Sequence, residues 1–264
     1  MDLFDDTIKE IRDWARVTSE TAQTRWHQTP IPALETALSF PAAASRANTS
    51  IILKEDTRLE LGHPSAGSCS ATLATRDFSL IENGLITLIG PDVPEMEEPL
   101  SPFAQIALAH CQGDVKDVSQ SMDRQLHRSA QSDGYMIRSV PHLIWARVSK
   151  EAAASGFSLF DLGSRLLKGL WHECEGITGA EIIFITTSRE HVSAVEDIVK
   201  VARAKLQKIL SFEIRDDDTY ECTASNDCAE CPEQVVCDNI RDVIKLRKGD
   251  RIISFDRGAG RESE

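Results

Sequence analysis

Four cysteines fall within sixteen residues of this 264-residue chain: Cys222, Cys228, Cys231 and Cys237. Their spacing is C-x5-C-x2-C-x5-C. Thiolates are soft ligands that select iron–sulfur clusters, zinc or Cu(I). Four of them in one short segment are enough to surround one cubane or one tetrahedral ion. The Cys228-x2-Cys231 pair has metal-knuckle spacing, and Pro232 follows Cys231 as a proline often follows an iron–sulfur ligand. Two identities stay open on spacing alone. A 4Fe–4S cluster would move electrons, whereas a closed four-thiolate zinc site would staple the segment. Four unrelated reduced thiols are the remaining alternative.

Cys69, Cys111 and Cys174 are scattered and read as small buried hydrophobes. His172-x-Cys174 could add a ligand pair, but polar residues at a helix end are equally explained by solvent. The seven histidines show no metalloprotease spacing, and there is no G-x-S-x-G, P-loop or G-x-G-x-x-G. Hydrolase, kinase and dinucleotide-binding chemistry have no motif to rest on.

Charge narrows the partners. Lys plus Arg number 29 against 42 Asp plus Glu, a formal net charge of −13. Such a chain is a poor phosphate neutraliser, which argues against nucleic acid and against a polybasic grip on anionic lipid. No apolar run approaches the roughly 20 residues of a spanning helix. The opening MDLFDDTIKEIRDW is acidic and amphipathic, unlike a signal peptide. A cytoplasmic protein with reduced thiols is the expectation.

The elements that must carry these residues read as follows. Leu3, Phe4, Ile8, Ile11 and Trp14 share one face of a helix over about 3–26. Ile51–Lys54, Arg58–Leu61 and Leu85–Ile89 are short β-type runs, the last closed by Gly90-Pro91-Asp92. A surface connection over 93–102 and a polar helix over about 103–130, broken near Gln112-Gly113-Asp114, are expected next. Trp145–Val148 reads as a strand entering a helix at Lys150–Ala154. Ser158 caps a further helix marked by Leu162, Leu166, Leu167 and Leu170. Glu181–Thr187 is the clearest buried strand, and Ser188 caps the long helix after it. Val243–Arg247 and Arg251–Phe255 flank Gly249-Asp250 as a terminal hairpin would. The fold class is mixed α/β, a sheet with packed helices, followed by a small Cys-rich metal-binding segment and a C-terminal β-hairpin.

Several stretches resemble the acetyl-CoA synthase (beta) subunit family of the CO dehydrogenase/acetyl-CoA synthase complex. Ile81–Asp92 (IENGLITLIGPD) and Trp145–Gly156 (WARVSKEAAASG) look like two of its segments. Asp197–Lys205 is similar to the helix before its active-site loop. Asp218-Thr219-Tyr220-Glu221-Cys222 is similar to the entry to its first cluster cysteine. The resemblance implies an N-terminal helical extension (1–49), a middle-domain-like α/β body (50–212) and an iron–sulfur segment (213–264). The family joins its cubane to a dinickel unit whose distal nickel sits in a Cys-Gly-Cys motif. This sequence contains no Cys-x-Cys, and its spacing after Cys222 differs from the family's. The implied protein is therefore a truncated homologue that keeps the cubane on Cys222, Cys228, Cys231 and Cys237, without nickel chemistry. It would be an accessory or electron-transfer subunit in one-carbon metabolism, partnered by a redox protein or a corrinoid methyl carrier. The alternatives are a methyl- or acyl-transferase subunit, with Cys174 or His172 as a further ligand, and a zinc-stapled interaction module. The family also places coenzyme A near a tryptophan-bearing loop, here Ser132–Trp145. That implies a coenzyme A region at Arg138, Trp145, Arg147 and Lys150, since guanidinium and ammonium groups suit phosphates. The alternative there is a core tryptophan beside a solvated charged face.

Overall fold

The computed structural model describes residues 2–29, 52–130, 134–140, 143–207, 212–214 and 220–222. The chain divides into two units, Met1–Lys205 and Leu206–Glu264. In the first unit the strands are β1 (Thr24–Gln28), β2 (Thr57–Leu61), β3 (Ser68–Thr75), β4 (Leu85–Ile89) and β5 (Leu100–Ser101). They continue with β6 (Phe103–Cys111), β7 (Tyr135–Val140), β8 (Leu143–Ser149) and β9 (Ile177–Ile185). The helices are α1 (Asp5–Ser19), α2 (Val115–Ala130), α3 (Lys150–Ala154), α4 (Leu159–Glu173) and α5 (Arg189–Gln207). The fold is mixed α/β, as expected.

One sheet has the order β1-β4-β9-β6-β3, with β4 parallel to β9, β3 parallel to β6 and the other neighbours antiparallel. The second has the order β5-β2-β8-β7. Only Pro102 separates β5 from β6, so the chain passes directly from the small sheet into the large one. Ser68 fastens them: its hydroxyl donates to the Ile144 carbonyl (2.6 Å) and accepts from the Ile144 amide (2.8 Å).

Helices cover both faces of the large sheet. Ile86 and Phe184 point to α4, which lies so close that a Cβ on Gly163 would stand 2.9 Å from Ile86 Cγ2. The alternate residues, including Thr87, Glu181 and Ile183, point to α1. There α1 buries Ile8 and Ile11, and the Trp14 ring meets His191 of α5 edge-on at 5.8 Å. Asp92 sets where α4 begins. Its carboxylate accepts from the Ser158 hydroxyl (2.7 Å) and the Leu159 amide (2.8 Å), while Ser158 Oγ accepts from the Phe160 amide. The turn before it needs glycine: Gly90 has φ +118°, and a Cβ there would lie 2.7 Å from the Thr187 amide.

Most expected elements are present: α1, β2, β4, β8, α3, α4, β9 and α5. The main correction is at 103–111, expected as helix and found as β6. Alanine favours helix in isolation. Here the run lies between β3 and β9 with eight of nine residues buried, so pairing on both edges overrides propensity. Helix starts only at Val115, where Asp114 Oδ1 accepts from the Lys116 amide at 2.9 Å. The first helix stops at Ser19 rather than near 26, and Thr24–Gln28 turn back to pair with β4. Leu53–Asp56 form a turn instead of a strand, closed by the Asp56 amide on the Leu53 carbonyl. Part of the expected loop 132–145 is β7, paired with β8. β3 was not expected at all; its SCSATLAT run carries little hydrophobic signal, yet six of its residues are buried. The expected hairpin at 243–255 lies outside the described residues.

In the second unit, β10 (Phe212–Ile214) pairs antiparallel with β11 (Tyr220–Cys222).

Candidate functional site

Cys222 is the last residue of β11, in register with Phe212 at the start of β10. Cys228, Cys231 and Cys237 lie outside the described residues. Among the described residues, no three His, Cys, Asp or Glu side chains gather to hold a metal. The donor set, four thiolates in sixteen residues, suits an iron–sulfur cluster or zinc by its chemistry.

The scattered cysteines are buried, as expected. His172 and Cys174 are not brought to a common site: His172 is exposed, while Cys174 is buried at the end of α4. The Cys174 sulfur accepts from the Ser121 hydroxyl at 3.8 Å, and burial pushes its thiol up, away from thiolate character. Burial acts on Cys111 in the same direction.

The tryptophan–arginine constellation lies on the small sheet. Register places Arg138 opposite Trp145 and Met136 opposite Arg147. The Arg147 guanidinium sits 4.7 Å over the Trp145 ring and is held from two sides. Its Nε donates to Glu60 Oε1 (3.0 Å) and its Nη1 to the Ile52 carbonyl (3.1 Å). Trp145 Nε1 donates to the other Glu60 oxygen at 3.2 Å. The Arg147 charge is thus met by an internal carboxylate. Lys150 begins α3 and is exposed. Sequence reasoning overlooks Glu60, although it stands between Leu59 and Leu61 in a strand, so period 2 already turns it away from the core.

A cavity of about 300 Å³ lies between α1 and the sheet. Its lining includes Arg12, Trp26, Glu82 and Glu181. Arg12 Nη1 donates to both Glu181 oxygens at 3.2 Å, and the Glu82 amide donates to Glu181 Oε2 at 2.7 Å. Arg12 also pairs with the Glu82 carboxylate. Burial pushes the Glu181 carboxyl up to about 7 despite the Arg12 guanidinium. The signal for this group is plain: a glutamate stands inside an otherwise apolar strand.

Comparison with known proteins matches residues 41–192 to the family model described as the CO dehydrogenase/acetyl-CoA synthase complex beta subunit. The chain is 26% identical over 195 residues to the acetyl-CoA decarbonylase/synthase complex subunit beta 2 of Methanosarcina thermophila, covering 70% of this chain and 41% of that protein. It is 32% identical over 130 residues to the subunit beta of Methanopyrus kandleri, covering 48% of this chain and 27% of that one. The subunit beta of Archaeoglobus fulgidus is 28% identical over 186 residues, covering 65% and 34% respectively. The chain thus spans about two fifths, or less, of the length of these curated relatives. No helix among the described residues is long and apolar enough to cross a membrane.

Proposed function

The chain belongs to the CO dehydrogenase/acetyl-CoA synthase complex beta subunit family, and from that premise we propose that it serves such a complex as an iron–sulfur subunit passing single electrons. The observation that carries this reading is the C-x5-C-x2-C-x5-C set beginning at Cys222. Cys222, Cys228, Cys231 and Cys237 would hold a 4Fe–4S cluster. Such a cluster supplies one-electron redox chemistry, and its hydrogen bonding and exposure set the potential. The partner is a redox protein or a corrinoid methyl carrier, since the relatives are by name subunits of a complex.

The transferase alternative gains nothing from His172 and Cys174, which face different surroundings. Coenzyme A is given no role at Arg138, Trp145, Arg147 and Lys150. The Glu60 carboxylate on Arg147 supports a structural tie there instead. Titration with coenzyme A should produce no saturable change in tryptophan fluorescence; saturation lost on Arg147→Ala would restore a binding role.

Anaerobic purification with metal analysis tests the main reading. It expects about four iron and four acid-labile sulfide per chain, with a brown colour that bleaches on reduction. Stoichiometric zinc without sulfide would replace it by the zinc-stapled interaction module.

A further inference from the structure

The two halves of α1 hold to the large sheet by different means. Residues 5–11 bury Asp5, Thr7, Ile8 and Ile11. The Asp5 carboxylate accepts from the Thr75 hydroxyl at 2.7 Å, and Asp2, just before the helix, pairs with Arg76. Residues 12–19 bury only Thr18. Beneath them lies the cavity of about 300 Å³, whose α1 wall is Arg12, Asp13, Ala15, Arg16 and Ser19, all from this second half. A segment with few buried apolar contacts opens locally at low free energy.

Among the described residues, the polar ties of the second half to the sheet side run through Arg12. Its Nη1 donates to the Leu80 carbonyl (2.9 Å) as well as to Glu181, and its guanidinium also pairs with Glu82. The other charged groups on this side are few. Asp13 and Arg16 of α1 pair with each other, and Glu82 stands in the turn before β4. β6 places His110 on the same face, held by Thr178, and α5 brings His191, held by Thr187. β1 and β4 contribute Thr24, Trp26, Leu85 and Thr87, which carry no charge. Burial therefore outweighs the pull of Arg12, and the Glu181 carboxyl stands at about 7 rather than 4.5. Covering Glu181 favours its protonated form, and letting water reach it favours the ionised one. Closure takes up a proton, so rising pH favours the open form.

We propose that residues 12–19 form a flap over the cavity, held shut by the Arg12 bridge while Glu181 is protonated and released when Glu181 loses its proton. Lifting the flap exposes the sheet residues Thr87 and Ile183 that line the cavity. It leaves Glu181 the hydrogen bond from the Glu82 amide, which belongs to the sheet side. The buried Ile8 and Ile11 keep the first half in place, so the movement hinges just after Ile11.

Native-state hydrogen exchange on the full chain, purified anaerobically, tests the flap. With intrinsic exchange rates divided out, the amides of residues 12–19 should open more often than those of β9 at both pH 6 and pH 8. Their opening constant should rise about tenfold between those pH values. Glu181→Gln keeps an acceptor for Arg12 and should flatten that rise to about twofold or less. Arg12→Gln removes the bridge and should raise opening at pH 6 several-fold, a reading that stands even where the Glu181 variant fails to fold. Opening of residues 12–19 no more frequent than that of β9 would overturn the proposal. So would equal opening at the two pH values in the wild type, a tenfold rise that survives in Glu181→Gln, or no response to Arg12→Gln.

Discussion

Glu181 is the residue at which burial and charge oppose each other most directly. It lies in the middle strand of the sheet, 3% exposed, with its carboxyl raised by burial from 4.5 to about 7. A carboxyl raised in the folded state binds protons there that the unfolded chain has released, so the sign of its effect follows. Its contribution is most favourable below about pH 4.5 and is lost as pH rises through 7. Glu181→Gln removes the titration while keeping an acceptor for Arg12. Relative to wild type, the variant should gain stability between pH 5 and pH 8, on the order of 2–3 kcal/mol. Urea unfolding at both pH values reads this, and an unchanged difference would show that Arg12 fully compensates the burial. Glu60 behaves differently because its partners enclose it. Replacing it by alanine leaves Arg147, at 18% side-chain exposure, without its carboxylate and Trp145 Nε1 without its acceptor. A loss of about 2 kcal/mol in chemical denaturation is expected. Both acids were readable in principle, one as a charge inside an apolar run and the other by period 2. What the residue types alone do not carry is the partner, since Arg12 lies 169 positions from Glu181.

At the scale of elements, α4 and the sheet approach each other at Gly163. Alanine there would improve helix propensity by about 1 kcal/mol. Its Cβ would also stand 2.9 Å from Ile86 Cγ2 and 3.1 Å from Phe184 Cε2, neither of which is the free end of a flexible chain. Overpacking of this kind costs about 1–3 kcal/mol and outweighs the propensity gain. Gly163→Ala should therefore lower the thermal midpoint, whereas a rise would mean that α4 can shift outward freely. The same contact explains part of what the sequence conveys. The leucine spacing and the Ser158 cap identify α4 because local signals agree with its tertiary role. Phe103–Cys111 misleads because its local preference and its setting conflict. An alanine-rich run becomes a central strand only when β3 and β9 are present to pair with it, which no window of nine residues reveals. β1 is hidden for a related reason: five residues after a helix with acceptable helical spacing take strand form through β4.

For the whole molecule, the question is whether the thiol-bearing unit and the α/β unit are coupled in stability. The family-like segments at 81–92 and 145–156 were legible and fall within the residues 41–192 that match the family model, and with them the kind of body that precedes the cysteines. The four cysteines read as a donor set, but spacing cannot choose the metal because iron–sulfur clusters and zinc accept the same four ligands. Coupling can be argued from the core. Among the described residues, its buried side chains, Ile86, Leu88, Ile106, Leu166 and Phe184 among them, belong to Met1–Lys205. Metal binding contributes folding free energy to the residues whose order depends on the ligands. A core assembled without Cys222, Cys228, Cys231 or Cys237 should not need that contribution. The sequence supplies its own reporter, since all four tryptophans, Trp14, Trp26, Trp145 and Trp171, lie in the first unit. With the proposed cluster on these four thiolates, chelation of the purified protein, or combining Cys228→Ser with Cys231→Ser, should abolish its visible absorption. The tryptophan-detected melting midpoint should stay within about 2 °C, less than the shift that 1 kcal/mol would produce. A fall of about 10 °C or more, corresponding to several kcal/mol, would mean instead that the metal segment stabilises the α/β body directly.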